Sequence, residues 1–340
     1  MERHFVISPS PHVKDADSIP KIMYAVILSL LPAGIGGVYF FGLHALWVIA
    51  VAVLAAVGAE ALFSKMMKRP IQIHDGSAII TGLLLAYNVP AEVPLWLPAV
   101  GAVAGIGIGK MAFGGLGFNP MNPALIGRAF LMASWTAHMT VFKTLPKGGT
   151  LSGIDAVTNA TPLNVFKGAK EILLNSANYS AEQVTEATQA VTQLYNASGN
   201  LFWGRVGGCI GETSAILLLV GALFLMYKRI IGWKIPFAYV GTVAALAWVF
   251  GGTNGLFSGN PLFHILSGGL ILGAFFMATD MVSSPVTFKG RLYFGVGCGV
   301  LTFVIRMWGG YPEGVSYSIL LMNLVTPLLD RYTKPKAFGG

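Results

Sequence analysis

Residues 43–66 read LHALWVIAVAVLAAVGAEALFSKM, a stretch in which Glu60 and Lys65 are the only charged residues. An apolar run of about 20 residues is long enough to cross the hydrocarbon core of a membrane as one helix. The whole chain has 340 residues, of which 54% are hydrophobic and 11% are charged. A soluble globular domain carries about 25% charged residues, so this chain lacks the charge that a water-exposed surface needs. The composition therefore predicts an integral membrane protein.

Similar apolar runs recur along the chain and predict ten membrane spans in two groups of five. We place the spans at 20–42, 43–66, 77–92, 94–113, 122–140, 205–228, 235–253, 262–282, 290–308 and 315–332. The predicted fold is an all-α polytopic membrane protein of about ten transmembrane helices in two five-helix halves. The predicted segments, in order, are an N-terminal segment 1–19, a first half 20–140, a polar loop 141–204, a second half 205–332 and a tail 333–340.

The basic residues lie mostly on one side of the predicted spans. The side that carries the N-terminus holds 15 of the 22 Lys and Arg residues, whereas four of the five loops on the other side hold none. Because cytoplasmic segments of membrane proteins are rich in Lys and Arg, both termini are predicted to be cytoplasmic and the loop 141–204 extracytoplasmic. The net charge of +8 is therefore a topology signal and gives no reason to expect a nucleic-acid partner.

Weak internal similarities suggest that the two halves are related. The fourth and ninth spans close on Lys110-Met-Ala-Phe-Gly-Gly and Arg306-Met-Trp-Gly-Gly, and the third and eighth contain Thr81-Gly-Leu-Leu-Leu-Ala and Ser267-Gly-Gly-Leu-Ile-Leu. With five spans in each half, related halves have opposite orientations, as in an inverted repeat. A second similarity, between Asp75-Gly-Ser-Ala-Ile and Glu212-Thr-Ser-Ala-Ile, follows a different register, so the repeat is a hypothesis. It favours a channel or a secondary transporter as an alternative function.

Acidic residues in or beside the apolar spans are candidates for an ion path. A charged side chain at the centre of a membrane helix costs about 2.5–3.5 kcal/mol, so it needs a partner or a function. The predicted ion-path candidates are Glu212, Glu60 and Asp75. For Glu60 and Asp280, which lie near the inner ends of their spans, snorkelling or pairing with Lys65 or Arg291 is a sufficient structural alternative. The two cysteines, Cys209 and Cys298, lie far apart in apolar spans, which predicts small buried residues and neither a metal site nor a disulfide.

A stretch rich in Gly, Pro and Asn joins the fourth and fifth spans. It reads Gly-Gly-Leu-Gly-Phe-Asn-Pro-Met-Asn-Pro over residues 114–123. The prolines interrupt helices, and the side-chain amides of Asn119 and Asn122 have the donors and acceptors that would hold a heterocycle's carbonyl groups and ring nitrogens. The same residue types also form an ordinary turn between two spans, and the sequence favours neither interpretation.

The polar loop contains two informative features. Residues 180–191 have the pattern of a short amphipathic helix. The run 155–161, Asp-Ala-Val-Thr-Asn-Ala-Thr, stands directly before Pro162. By residue chemistry alone this run is a polar turn whose last hydroxyl, on Thr161, is exposed. A loop of this length in a compact protein is usually functional or disordered.

The same run resembles a family motif. Asp155, Thr158, Ala160 and Thr161 resemble the flavinylation motif Asp-x-x-Ser/Thr-Gly-Ala-Thr of the family of Rnf D subunits and sodium-pumping NADH:quinone reductase B subunits, with Asn159 in place of Gly. The resemblance covers nearly the whole chain. Other segments that resemble the family, in the same order, are Ser8-Pro-Ser-Pro-His, Asp75-Gly-Ser-Ala-Ile-Ile-Thr-Gly-Leu-Leu-Leu, the stretch that begins at Gly114, Gly211-Glu-Thr-Ser and Phe276-Met-Ala-Thr-Asp.

This resemblance implies a cofactor, a reaction and partners. In the family, a flavin transferase links FMN through its phosphate to the last threonine of the motif, which is Thr161 here, and Asp155, Thr158 and Ala160 match recognition positions. The resemblance implies a membrane component of a redox-driven translocase in a bacterial or archaeal cell membrane. Together with other Rnf membrane and peripheral subunits, it would pass electrons between ferredoxin and NAD and move Na⁺ or H⁺. Such a component is not catalytic alone.

Two further expectations follow from the family. The short N-terminal region favours an Rnf D subunit over the alternative, a B-like subunit of a sodium-pumping NADH:quinone reductase. The related reductase protein also holds a riboflavin, and Asn119, Asn122 and Asp280 are the candidates for holding one here.

Overall fold

The first half of the chain folds into helices joined by short turns. The computed structural model describes residues 17–143, 158–159, 161–253, 255–311 and 313–334. The helices of the first half are α1 (Ile19–Phe41), α2 (Leu43–Met66), α3 (Ser77–Tyr87), α4 (Trp96–Gly109), α5 (Pro123–Ser134) and α6 (Thr136–Met139). Pro123 occupies the first turn of α5, where a missing backbone N–H costs nothing, and Asn122 caps it.

The polar loop and the second half are also helical. The loop contains α7 (Pro162–Leu174), α8 (Ala181–Asn196) and α9 (Ser198–Trp203). Two short strands, β1 (Phe142–Lys143) and β2 (Thr158–Asn159), pair antiparallel. The second half contains α10 (Ala215–Tyr227), α11 (Lys234–Phe250), α12 (Pro261–Leu266), α13 (Leu270–Leu272) with a π-helical turn at Gly273–Met277, α14 (Phe288–Trp308) and α15 (Val315–Tyr332). The prediction of a helix at 180–191 is confirmed by α8.

The chain is a multi-pass membrane protein. Within the described residues, four helical stretches have the length and composition to cross a membrane: Ile19–Phe41, Leu43–Met66, Trp96–Phe113 and Phe288–Trp308. Shorter apolar helices are Ser77–Tyr87, Pro123–Ser134, Ala215–Tyr227 and Lys234–Phe250. The all-α polytopic fold that the composition predicts is confirmed.

Several predicted spans are interrupted, which the hydropathy pattern did not indicate. The third span is helical only to Tyr87, and the sixth becomes helical only at Ala215. The two irregular segments that result pair with each other: Ile210 N–H donates to the Val89 carbonyl at 3.2 Å, and Gly211 N–H donates to the Tyr87 carbonyl at 3.1 Å. Irregular backbone within a membrane protein needs such partners because lipid offers none.

The packing of the helices repeats between the halves. In the first half α2 packs against α3 and α4, and in the second half α11 packs against α12 and α14. Helices α1 and α10, the first of each half, contact each other with Gly36 beside Leu217 and Gly221 beside the Ser29 carbonyl, so they run antiparallel. These contacts agree with an inverted repeat. Lys110 and Arg306 are both buried where α4 and α14 end, which supports the register that relates them.

The loop helices pack on the second half. Phe166 of α7 contacts Phe263 and His264 of α12 with ring centroids 5.2 and 5.3 Å apart. The ammonium of Lys167 donates to the Gly309 carbonyl at the end of α14, and that of Lys170 donates to the Phe250 carbonyl at the end of α11. Cations are favourable at helix C-termini. Partial burial nevertheless lowers the pKa of Lys170.

Candidate functional site

Thr161 is the N-cap of α7. Its Oγ1 accepts a hydrogen bond from Asn164 N–H at 3.3 Å, and Pro162 follows as the first helical residue. The side chain of Thr161 is only 4% exposed, so the expectation of an exposed hydroxyl was wrong. The turn is buried because α7 places Leu163 and Phe166 in the apolar cluster under the loop. Of the other motif residues, Thr158 lies in β2, while Asp155 and Ala160 lie outside the described residues.

Thr161 lies on the wall of a small cavity, which we call the loop cavity. Its empty volume is about 330 Å³, including the part that opens to solvent. It is lined by Thr161, Pro162, Leu163, Leu201, Val206, Gly207, Gly208, Glu212, Thr213, Leu266, Gly268 and Glu313. Its polar wall therefore combines the N-terminus of α7 with two carboxylates, Glu212 and Glu313. A helix N-terminus attracts anions such as phosphate, so the α7 end of the cavity is the part that suits a phosphate ester.

Glu212 belongs to a buried polar network behind this wall. Arg128 donates to the carboxylate of Glu313, to Asn88 Oδ1 at 2.7 Å and to Ser316 Oγ at 2.8 Å. Cys209 N–H donates to Glu212 Oε1 at 3.2 Å. No sequence pattern pointed to Glu313, because it lies in a short turn before α15 and its partner Arg128 is 185 residues away.

The same network brings three potential metal ligands together. Single ligand atoms of Cys209, Glu212 and Glu313 lie within 4.8 Å of one another. Cys209 lies in the irregular segment before α10 and is buried, as expected. The Glu313 carboxylate is already paired with Arg128, and Arg306 is buried against the same cavity wall. Arg128 therefore neutralises Glu313, whereas Glu212 Oε2 and Arg306 Nε are buried without a hydrogen-bond partner among the described residues.

A larger cavity lies at the opposite end of α3, and we call it the basic-face cavity. Its empty volume is about 790 Å³, including the part that opens to solvent. Its polar lining is Ser77, Thr81, Lys110, Asn119, Asn122, Thr279 and Asp280, and the rest is largely aliphatic and aromatic. Asn119, Asn122 and Asp280, the three predicted riboflavin residues, therefore share one cavity. Since α3 begins at Ser77 and ends beside Gly211, the two cavities are separated by this helix, which is about 16 Å long.

The predicted riboflavin residues also have structural hydrogen bonds. Asn122 Oδ1 accepts from Ala124 N–H at 3.0 Å as the cap of α5, and Asn119 Nδ2 donates to the Met121 carbonyl at 3.2 Å. Asp280 Oδ2 accepts from Ser283 Oγ at 2.9 Å and has no basic partner in the described chain, so the proposed pairing with Lys65 or Arg291 was wrong. An apolar cleft with a few amide and hydroxyl groups fits a planar heterocycle.

Lys110 and Ser77, on the wall of the basic-face cavity, connect Glu60 with Asp75. Lys110 Nζ donates to Glu60 Oε1 at 2.7 Å and to Ser77 Oγ at 2.6 Å. Ser77 Oγ in turn donates to Asp75 Oδ1 at 2.6 Å. The expected partner of Glu60, Lys65, is exposed instead, because α4 presents Lys110 to the buried face of α2. Two of the ion-path candidates thus share one network, and Glu212 belongs to the other.

Comparison with known proteins gives the family. The model of the NQR2, RnfD, RnfE family matches residues 6–339. The chain belongs to this family. It is 50% identical to the D subunit of a proton-translocating ferredoxin:NAD(+) oxidoreductase complex of Clostridium ljungdahlii, over 98% of this chain and 96% of the relative. It is 44% identical to the D subunit of the Na(+)-translocating complex of Acetobacterium woodii over 99% and 96%, and 39% identical to that of an ion-translocating oxidoreductase complex of Stutzerimonas stutzeri over 95% and 92%.

Membership of the family confirms the resemblance drawn from the sequence motifs. These relatives are D subunits of ion-translocating oxidoreductase complexes, as the short N-terminal region indicated. Two functional candidates were missed by the sequence interpretation. Lys110 was considered only as part of a repeat, and Glu313 was not considered, because their partners Glu60 and Arg128 come from distant helices.

Proposed function

We propose that this chain is the D subunit of an ion-translocating ferredoxin:NAD⁺ oxidoreductase and that it carries FMN as a phosphoester on Thr161. The named relatives, alike over nearly their full length, support the first part. The flavinylation motif ending at Thr161 supports the second. The chain acts as one component of a larger redox enzyme, with other Rnf subunits as partners and a flavin transferase needed for its maturation.

The observation that carries the FMN proposal is the position of Thr161 at the N-terminus of α7. Pro162 has no N–H, so the first donors of this 13-residue helix are the N–H groups of Leu163 and Asn164, and that of Asn164 donates to Thr161 Oγ1 at 3.3 Å. A phosphate group esterified there would be stabilised by these donors and by the helix dipole. The loop cavity continues from Thr161 between glycines 207, 208 and 268, where the absence of side chains lets a ligand approach the backbone. FMN supplies the capacity to accept and release electrons singly or in pairs.

A second flavin, riboflavin, fits the basic-face cavity. The cavity is large and mainly apolar, and Asn119, Asn122 and Asp280 lie along its wall. Each of these side chains keeps an acceptor site beyond the hydrogen bonds described above, because amide and carboxylate oxygens have two lone pairs each. Riboflavin has no phosphate, which agrees with the lining among the described residues, where the one basic group, Lys110, is already paired with Glu60.

The proposed orientation puts the two flavins on opposite sides of the membrane. The distribution of Lys and Arg supports cytoplasmic termini and an extracytoplasmic loop 141–204. The loop cavity then faces outward and the basic-face cavity faces the cytoplasm. The transported ion is Na⁺ or H⁺, and the relatives from Clostridium ljungdahlii and Acetobacterium woodii differ in this respect.

The FMN proposal is tested by in-gel fluorescence. The full chain is expressed with a flavin transferase, denatured and run on a gel, where a covalent flavin fluoresces under ultraviolet light. We expect a fluorescent wild-type band and a dark Thr161→Ala band. Thr192→Ala is the matched control, because Thr192 is an exposed threonine on α8 of the same loop, and it should fluoresce as the wild type does. A dark wild-type band, or fluorescence that survives Thr161→Ala, contradicts the assignment.

A further inference from the structure

Four side chains form a continuous series of hydrogen bonds beside the basic-face cavity. It runs from Glu60 Oε1 to Lys110 Nζ (2.7 Å), on to Ser77 Oγ (2.6 Å) and then to Asp75 Oδ1 (2.6 Å). Lys110 is 2% exposed and Glu60 4%. Each link joins a proton donor to an acceptor within ordinary hydrogen-bond distance. The geometry is therefore one along which a proton can move.

This series of hydrogen bonds separates two cavities. Lys110 and Ser77 line the basic-face cavity, while Glu60 lines a second cavity on its other side, which we call the wide cavity. The wide cavity has an empty volume of about 930 Å³, part of it open to solvent, and a mixed polar and apolar lining that includes the exposed residues Arg69 and Gln72. Glu60 Oε2 is buried and has no hydrogen-bond partner in the described part of the chain. Glu60 therefore lines the wide cavity and keeps one carboxylate oxygen that no described protein group occupies.

Stability alone does not explain this ion pair. Removing an ammonium and a carboxylate from water costs as much as their attraction returns, and a well-packed apolar pair is often at least as stable. Both residues sit in helices that are otherwise apolar, or directly at the end of one, where an ionisable group is a functional candidate by default. Lys110 lines the basic-face cavity and Glu60 lines the wide cavity. This is the arrangement of a proton donor, Lys110, beside the group that supplies it with protons, Glu60.

We propose that Lys110 donates a proton to a redox heterocycle in the basic-face cavity and that Glu60 returns the proton from the wide cavity. The inference rests on the proposed riboflavin, whose ring nitrogen gains electrons from the electron-transfer chain and needs a proton. An N–H bond of the Lys110 ammonium breaks and a new N–H bond forms on the reduced ring. Glu60, protonated by solvent at Oε2, then gives a proton to the neutral amine. The sum is one solvent proton delivered to the ring, with the ion pair restored.

The surrounding charged groups are few. Asp75 faces Lys110 through Ser77, and Asp280 lines the same cavity from the segment after α13. Arg69, which donates to the Gly114 carbonyl, lines the wide cavity beyond Glu60. Asp75 orients the Ser77 hydroxyl by accepting its hydrogen bond, so the Ser77 oxygen presents a lone pair to Lys110. Ser77 and Asp75 are therefore positioning residues, and Lys110 is the group that touches the ligand.

The test measures proton uptake when bound riboflavin is reduced. The full chain in detergent carries Thr161→Ala, so riboflavin added to the basic-face cavity is its only flavin. Riboflavin is reduced by a light flash with a sacrificial donor, and a pH-sensitive dye in weakly buffered solution reports the protons taken up. We expect Lys110→Met and Glu60→Gln each to slow proton uptake on the order of a hundredfold, as loss of a positioned acid does. Glu171→Gln, a matched change at an exposed glutamate of α7, should have no effect.

The outcomes separate the relay from the cofactor. Glu60→Gln keeps an acceptor for Lys110, so it decides the result if Lys110→Met does not fold. The relay is overturned if Glu60→Gln binds riboflavin normally and takes up protons at the wild-type rate, with the wild-type solvent isotope effect on that rate. The riboflavin proposal stands in that case. Failure of the wild-type chain to bind riboflavin overturns both. FMN on Thr161 is unaffected in either case, because the gel assay tests it separately.

Discussion

The ion pair between Arg128 and Glu313 should be the most sensitive charged interaction of the fold. Arg128→Met removes a buried guanidinium that bonds Glu313, Asn88 and Ser316 and leaves the Glu313 carboxylate buried without its partner. Removing one partner of a buried pair costs about 3–5 kcal/mol. At roughly 2 °C per kcal/mol, the value for the larger soluble domains, the unfolding midpoint should fall by about 6–10 °C.

The two cysteines of the chain provide the assay without further engineering. Cys209 and Cys298 are free and only 1% and 0% exposed, so a thiol-reactive fluorescent dye labels them only as the protein unfolds on heating. Arg205→Met, at an exposed arginine, is the matched control and should leave the midpoint unchanged. Adding Glu313→Gln to Arg128→Met should recover part of the loss, because the unpaired charge is then gone. A midpoint for Arg128→Met that matches the wild type, or full additivity in the double variant, would refute this account of the network.

Three further outcomes follow from named contacts. Gly211→Ala places a methyl group where the Tyr87 ring lies, so we expect little folded protein by size-exclusion chromatography, whereas Gly241→Ala, which meets no neighbour, should behave as the wild type. The double variant Lys167→Met with Lys170→Met removes the two hydrogen bonds from α7 to the ends of α14 and α11. Limited proteolysis within 162–196 should then become faster, and an unchanged rate would mean that apolar packing alone holds α7 in place. Phe166→Ala should lower the free energy of unfolding by about 3–5 kcal/mol, because it opens a cavity among Phe263, His264 and Tyr195. The same thiol-dye assay measures this change, and a loss below about 1 kcal/mol would show that the loop contributes little to stability.

The helices were predictable from the sequence because lipid imposes a simple rule on composition. Runs such as 43–66 contain almost only apolar residues, and their helical state follows from the need to satisfy every backbone group internally. The interruptions were not predictable. The irregular segment before Ala215 is stabilised by hydrogen bonds to Val89 and Tyr87, which lie more than a hundred residues away in the chain.

For the candidate sites too, the sequence located residues but did not indicate their contacts. The family motif located Thr161, but its burial depends on how α7 packs, which the motif does not encode. Asn119, Asn122 and Asp280 were grouped by the family resemblance, and the structure places all three on the wall of one cavity. The partner of Glu60 was wrong in the sequence interpretation, since Lys65 is near in sequence and Lys110 is near in space. Sequence distance is a poor guide to ion pairs wherever helices cross.

The attachment of α7 to the second half has a mechanical consequence. Phe166 packs on α12, and the two lysines donate to carbonyls at the ends of α11 and α14, so α7 is attached to the second half. The Glu60–Lys110 pair belongs to α2 and to the end of α4, in the first half. Any rocking of one half against the other would therefore carry Thr161 along with the second half and change its separation from Lys110. Two spectroscopic labels, one on α8 and one on α2, would act as a ruler for such movement during turnover.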